Sequence, residues 1–183
     1  MLYKKEIPRG IDVPIQNFQT YLYANIPRIW TEIDVEKDYE SFGRAYRNQK
    51  KGGGYIPEVY VGSGNYREVL FSDKVAALSF FGVEDVQRFK MLLTANVYII
   101  FCVNLTKLYP DIKHRADEEA RRDIINLSGR RLGELTGLVT GIDAVFRGYD
   151  VKNIKYKDMH PSHCFRLNYT VKYNDECPEI IEN

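Results

Sequence analysis

The sequence is short of the residues that usually announce chemistry. Its 183 residues include three histidines, three cysteines and one tryptophan. Cys102, Cys164 and Cys177 are widely spaced and odd in number, which argues against a disulfide framework and fits a reducing compartment. Net charge is nearly absent: the formal value is +1 at pH 7. That removes a global electrostatic case for nucleic acid or an anionic membrane. No apolar segment approaches the roughly 18 residues needed to span a bilayer. The N-terminus, with Lys4, Lys5, Glu6 and Pro8, lacks the apolar core of a signal peptide. There is no internal repeat and no low-complexity block.

Aromatics, in contrast, are plentiful: fourteen tyrosines and nine phenylalanines. They favour strands and protein–protein contacts, so a β-rich oligomer is the first expectation. The length fits one domain that buries roughly 70% of its unfolded surface without staples. The chain is organised around residues 97–131. Val97, Tyr98, Ile99, Ile100, Phe101, Cys102 and Val103 read as a strand buried on both faces. Residues 104–108 alternate and extend it, and Tyr109–Pro110 closes it. Asp117 then caps a helix whose stripe is Ala116, Ala120, Ile124 and Leu127.

In chain order, residues 1–13 read as an extended arm. Pro14 suits the first turn of a helix carrying Ile15, Phe18, Leu22 and Ile26 at helical spacing. From residue 39 the period becomes two, giving a hairpin insertion near 39–61 with Lys50, Lys51 and three glycines at its tip. Further strands over 66–71 and 75–81 complete an antiparallel meander. Val86, Phe89, Leu92 and Leu93 suggest a short helix feeding the central strand. Glycine at 129, 133, 137 and 141 predicts broken turns, and 142–149 a short helix or strand. Residues 161–173 alternate cleanly as a last two-faced strand. Residues 174–183 form an acidic tail around Ile180 and Ile181. The fold class expected is α+β: an antiparallel or mixed sheet, with an N-terminal helix and one main amphipathic helix packed on it.

Candidate chemistry is sparse. His160, His163 and Cys164 are close enough for metal ligation or a Cys/His pair, but a closed zinc site needs four ligands. The remaining candidates, His114, Cys102 and Cys177, are scattered, which favours a loop entering the last strand. Gly62, Ser63 and Gly64 lack the lysine and strand-to-helix context of a phosphate loop and read as a turn. Asp34, Glu36, Asp38 and Glu40 read as a solvated linker. Arg44, Arg47, Lys50 and Lys51 make the one basic cluster, a candidate contact for a DNA channel or an adjacent ring. No catalytic residue, cofactor or metal site is assigned.

Two resemblances add to this. The order N-terminal helix, antiparallel hairpin, long strand over 97–108, helix over 116–131 and closing strand over 164–173 is similar to the tail-terminator and tail-completion (neck) proteins of tailed bacteriophages. The segments Gly43-Arg44-Ala45-Tyr46-Arg47-Asn48, Tyr55-Ile56-Pro57-Glu58-Val59-Tyr60, Asn65-Tyr66-Arg67-Glu68 and Ser79-Phe80-Phe81-Gly82 resemble virion proteins of crAss-like phages. The resemblance implies a non-enzymatic ring subunit of the head-to-tail connector. Its partners would be its own copies in a closed six- or twelve-fold ring, the portal, neighbouring neck and tail proteins, and genomic DNA touched without specificity. Both arms, with Ile180 and Ile181 as assembly contacts, would order on neighbours. The location implied is the virion, with host cytoplasm during assembly and no membrane. The alternative expectation is a small cytosolic α+β binding module, or an enzyme using His160, His163 or Cys164.

Overall fold

The computed structural model describes residues 1–69, 72, 74–90, 92–152 and 158–174. The elements are α1 (Asp12–Asn25), a 3-10 turn (Ile26–Arg28), α2 (Val35–Asp38), β1 (Tyr39–Gln49), β2 (Tyr55–Gly62), β3 (Asn65–Glu68), β4 (Ala77–Phe89), β5 (Leu92–Asn104), α3 (Leu105–Leu108), α4 (Asp117–Ser128), β6 (Glu134–Thr140), α5 (Ile142–Val145) and β7 (Ser162–Asn174). The architecture is α+β. Seven strands form one mixed sheet in the order β3-β2-β1-β4-β5-β7-β6.

The aliphatic run of β5 is central, as expected. It pairs antiparallel with β4 on one side and with β7 on the other, over its whole length. Its side chains divide by period two. Ala95, Val97, Ile99, Phe101 and Val103 enter one core, and Tyr98, Ile100 and Cys102 enter a second on the opposite face. The first core is roofed by α1, whose Ile15, Phe18 and Leu22 are buried, together with Ile26 and Trp30. The Ile15–Ile26 stripe is therefore core. α4 adds Ala120 and Ile124 to the same core; Leu127 is half-buried, and Ser128 takes the inward position. The second core is closed by Val69, Val75, Val145 and Phe146.

Five expectations are corrected. The first half is not a meander, because β1 and β4 run parallel. Among the described residues of 82–94 there is no helix. They carry β4 and β5 through a long hairpin, in which Gln87, Arg88 and Phe89 face Thr94, Leu93 and Leu92. Residues 105–108 form a helical turn, because Asn104 accepts from the Lys107 amide and caps it. The glycine-rich stretch is an edge strand, β6, in which Gly137 lies beside Asn168 and the outward residues are solvated. The N-terminal arm, expected to order on a neighbour, already lies against its own subunit. Leu2 bridges Ser41, the Tyr3 amide donates to the Ser41 carbonyl at 2.9 Å, Tyr3 stacks on Phe42, and the helix already starts at Asp12. The arm thus docks on its own subunit rather than waiting for a neighbour. Ile180 and Ile181 lie outside the described residues. Among the described residues, no helix is long and apolar enough to cross a membrane.

Candidate functional site: a cleft between diverging strands

β1 and β4 begin as neighbours and then part. Their ladder runs from Tyr39 beside Ala77 to Arg44 beside Phe81, with an irregularity between Ser41 and Arg44. Among the described residues, β1 keeps only β2 as a partner from Ala45 to Gln49, and β4 keeps only β5 from Gly82 onward. A bulge between Glu84 and Gln87, with Asp85 at φ +50°, adds local twist and carries β4 further away. The result is an open cleft of about 830 Å³ between two facing strand edges, lined by Arg44, Arg47, Glu84, Val86, Tyr98 and Arg147 among others.

The root of the cleft is built on a glycine–aromatic contact. Gly82 sits directly opposite Tyr98. The tyrosine ring lies so close over it that a Cβ on Gly82 would meet the ring at 1.9 Å. Tyr98 therefore lies flat across the sheet, and its hydroxyl reaches the Tyr149 hydroxyl at 3.0 Å. Burial, first, and the neighbouring Tyr149 hydroxyl push the Tyr98 phenol well above its ordinary pKa; burial also raises that of Tyr149. The Arg166 guanidinium stacks on the Tyr98 ring, 3.8 Å from its centroid. It donates to Asn168 at 2.6 Å through Nε and to Glu84 at 3.1 Å. Glu84 also faces Arg47 of β1 at 3.7 Å. One carboxylate thus ties the two diverging halves of the sheet together.

The basic cluster anticipated at Arg44, Arg47, Lys50 and Lys51 is dispersed by the fold. Arg44 pairs with Asp12 at 3.1 Å and donates to the Tyr46 hydroxyl at 2.9 Å. Lys5 converges on the same pair, 2.5 Å from Asp12 and 2.6 Å from Tyr46. Burial opposes the Lys5 charge, but the bonds to Asp12 and Tyr46 prevail and raise its pKa. Arg47 is engaged by Glu84, and Lys50 pairs with Glu68 at 3.3 Å. Lys51 lies exposed at the glycine tip. The tip contributes one or two solvated charges, not a four-residue patch.

The histidine–cysteine group is also split. Consecutive residues of a strand face opposite ways, so His163 and Cys164 of β7 serve different cores. His163 is buried, with Nδ1 at 2.7 Å from Asp158 and 3.4 Å from Asp117. Asp117 does not cap α4. Its carboxyl is held below the usual range by Arg115, against some burial, with His163 helping. Cys164 lies opposite Cys102 across the β5–β7 ladder, and both thiols are buried and pushed up by that burial. Such thiols are poor nucleophiles. His160 is exposed, and among the described residues no three potential ligands cluster for a metal.

No family model, curated protein or solved structure matches the chain. The cleft is therefore read on its own chemistry. Glu84, Tyr98, Tyr149 and Arg166 were not singled out by pattern. Arg166 lies on the polar register of its strand, with Asn168, Thr170 and Lys172, so the pattern gives no signal of its burial. A buried arginine needs a counter-charge, yet the sequence does not say that it sits 82 positions away at Glu84.

The hairpin beyond the cleft is the other unusual feature. Val86, Phe89 and Leu92 are 52%, 74% and 39% exposed. Phe89 and Leu92 lie directly opposite each other at the hairpin end. They form an apolar tip next to an unpaired edge.

Proposed function

We propose that this chain is a structural virion protein: a ring subunit of a phage head-to-tail connector, below the portal, that mediates tail attachment and lines part of the DNA channel. The observation that carries the reading is the β4–β5 hairpin, which projects from one firmly packed sheet and ends on exposed Phe89 and Leu92 beside the unpaired edge of the cleft. Unpaired edges and apolar tips favour association. Contact between unlike surfaces of successive copies is heterologous and closes into a ring when the rotation allows, six- or twelve-fold here. The resemblance of the segments around Arg44, Tyr60, Arg67 and Phe81 to crAss-like virion proteins points the same way. Lys51 and the glycines after it suit weak, sequence-blind contact with a sliding genome. The reading assigns the chain no catalytic step, no cofactor and no membrane contact.

The test is assembly. The purified chain, alone and with the portal of its parent virus, is imaged by negative-stain electron microscopy and weighed by native mass spectrometry. Closed rings, and the chain's presence in purified virions, support the proposal. A monomer in all salt conditions with the portal present, or virions lacking the chain, overturns it.

The open cleft favours a second reading, a cytosolic module that holds an extended peptide between β1 and β4. It predicts peptide binding by a stable monomer. The ring reading predicts that the same cleft is filled on assembly.

A further inference from the structure

We propose that the segment 179–183 of a second copy of this chain adds as a strand to the free edge of β4 inside the cleft. This rests on the ring reading and names what joins one subunit to the next.

The cleft is shaped for a strand. Among the described residues, β4 beyond Phe81 has backbone pairing on its β5 side alone, and the facing edge of β1 has none beyond Arg44. Such edges are templates for an incoming segment, whose main-chain hydrogen bonds supply affinity. The cleft volume of about 830 Å³ exceeds what a few side chains need. Its walls offer small apolar footholds at Ala45, Val83 and Val86, and the exposed Arg147 at the rim.

The occupant follows from where the described chain ends and what comes next. β7 ends at Asn174, which pairs with Leu92 at the hairpin end. β7 and β4 both run antiparallel to β5, so they run the same way, and the chain leaves β7 heading away from its own cleft. Nine more residues follow, Asp175 to Asn183, with Asp175, Glu176, Glu179 and Glu182 and no basic residue. Extended, they reach roughly 30 Å. Pro178 has no amide to give a ladder, which leaves Glu179-Ile180-Ile181-Glu182-Asn183 as the pairing unit. Its acids match the exposed Arg147, and its isoleucines match the valines of β4.

Val86→Cys in the full chain tests this with the native Cys177 as its partner, since Cys102 and Cys164 are buried. A short bismaleimide is expected to yield covalent dimers and higher multiples, abolished by adding Cys177→Ser. Arg147→Glu should lower that yield by roughly fivefold, as a lost rim charge does. An excess of the free peptide 175–183 should compete, whereas the peptide N-methylated at alternate amides from Glu179 onward should not. Only single-chain cross-links, or equal competition by the methylated peptide, would overturn the proposal. Electron microscopy of the same sample separates the two claims. Rings without cross-links between chains sink the tail seating and leave the ring intact. Absence of both rings and cross-links sinks both.

Discussion

The β1–β2 and β4–β5 hairpins leave the same sheet side by side and end in opposite ways. The first turns through Gly52, Gly53 and Gly54, all at positive φ, with lysines at the tip. Its flanks are tied by Lys50 to Glu68 and by Asn48 to Glu58. Charge and glycine at an exposed strand end discourage pairing with other chains. The second ends on Phe89 and Leu92, exposed and face to face, with Val86 beside them. Lys90 Nζ lies over the Phe89 ring, 5.7 Å from its centroid, and Phe89 remains exposed. One hairpin protects its end and the other presents it. The exposed apolar end is the feature on which the ring proposal draws.

The sharpest way to break the comparison is at the common root. Gly82→Val places atoms where the Tyr98 ring lies and should cost about 3 kcal/mol, as overpacking does. A lower urea midpoint with unchanged slope checks it. Next is the tie across the cleft. Glu84→Ala leaves the buried Arg166 without its carboxylate and should cost about 1–2 kcal/mol, discounted because Glu84 is partly exposed. The same denaturation measurement reads it.

Alkali should act on the same root. The Tyr98 and Tyr149 phenols are raised by burial, above an unfolded value of about 10. Each unfolded phenol loses its proton first, so the stability they contribute is full below about pH 10. It is lost as pH rises through the folded values. Urea midpoints at successive pH values should fall above that point, and less steeply in Tyr149→Phe.

The tips separate association from stability. Phe89→Ser should leave the urea midpoint within about 0.5 kcal/mol of the parent. If the tip is buried between subunits, it should weaken self-association by roughly tenfold or more; sedimentation velocity measures both oligomer and monomer. Replacing Lys50 and Lys51 with Gln has the smallest effect. Folding is unchanged, and the logarithmic salt dependence of DNA retention by assembled rings should fall by about two units if both lysines meet phosphates. An unchanged slope would remove the tip from the channel.

The core was legible wherever burial imposed a period. The two-faced β7, the run of β5 and the stripe of α1 are where their patterns indicate. Reading failed at polar or glycine-rich strands. Residues 82–94 look helical because Val86, Phe89 and Leu92 repeat at three, but these residues are exposed on a hairpin, so no packing enforced that period. In β6, glycines that would break a helix are tolerated because β7 supplies the pairing and Gly133 packs against the Thr170 backbone. The basic cluster misled in another way. Neighbours in sequence suggested one patch, while the strand turned alternate arginines toward Asp12 and Glu84.

By itself the sequence determined the α+β class, the central strand and which side chains are core, since apolar burial at a fixed period is a local property written in residue order. Only the tertiary structure decided that β1 lies parallel to β4, that the two then part, and that Glu84 meets Arg166 and Arg47 in the gap. Those depend on pairings between segments distant in the chain, and long-range partners are chosen by the packing of the whole sheet rather than by any short stretch of it.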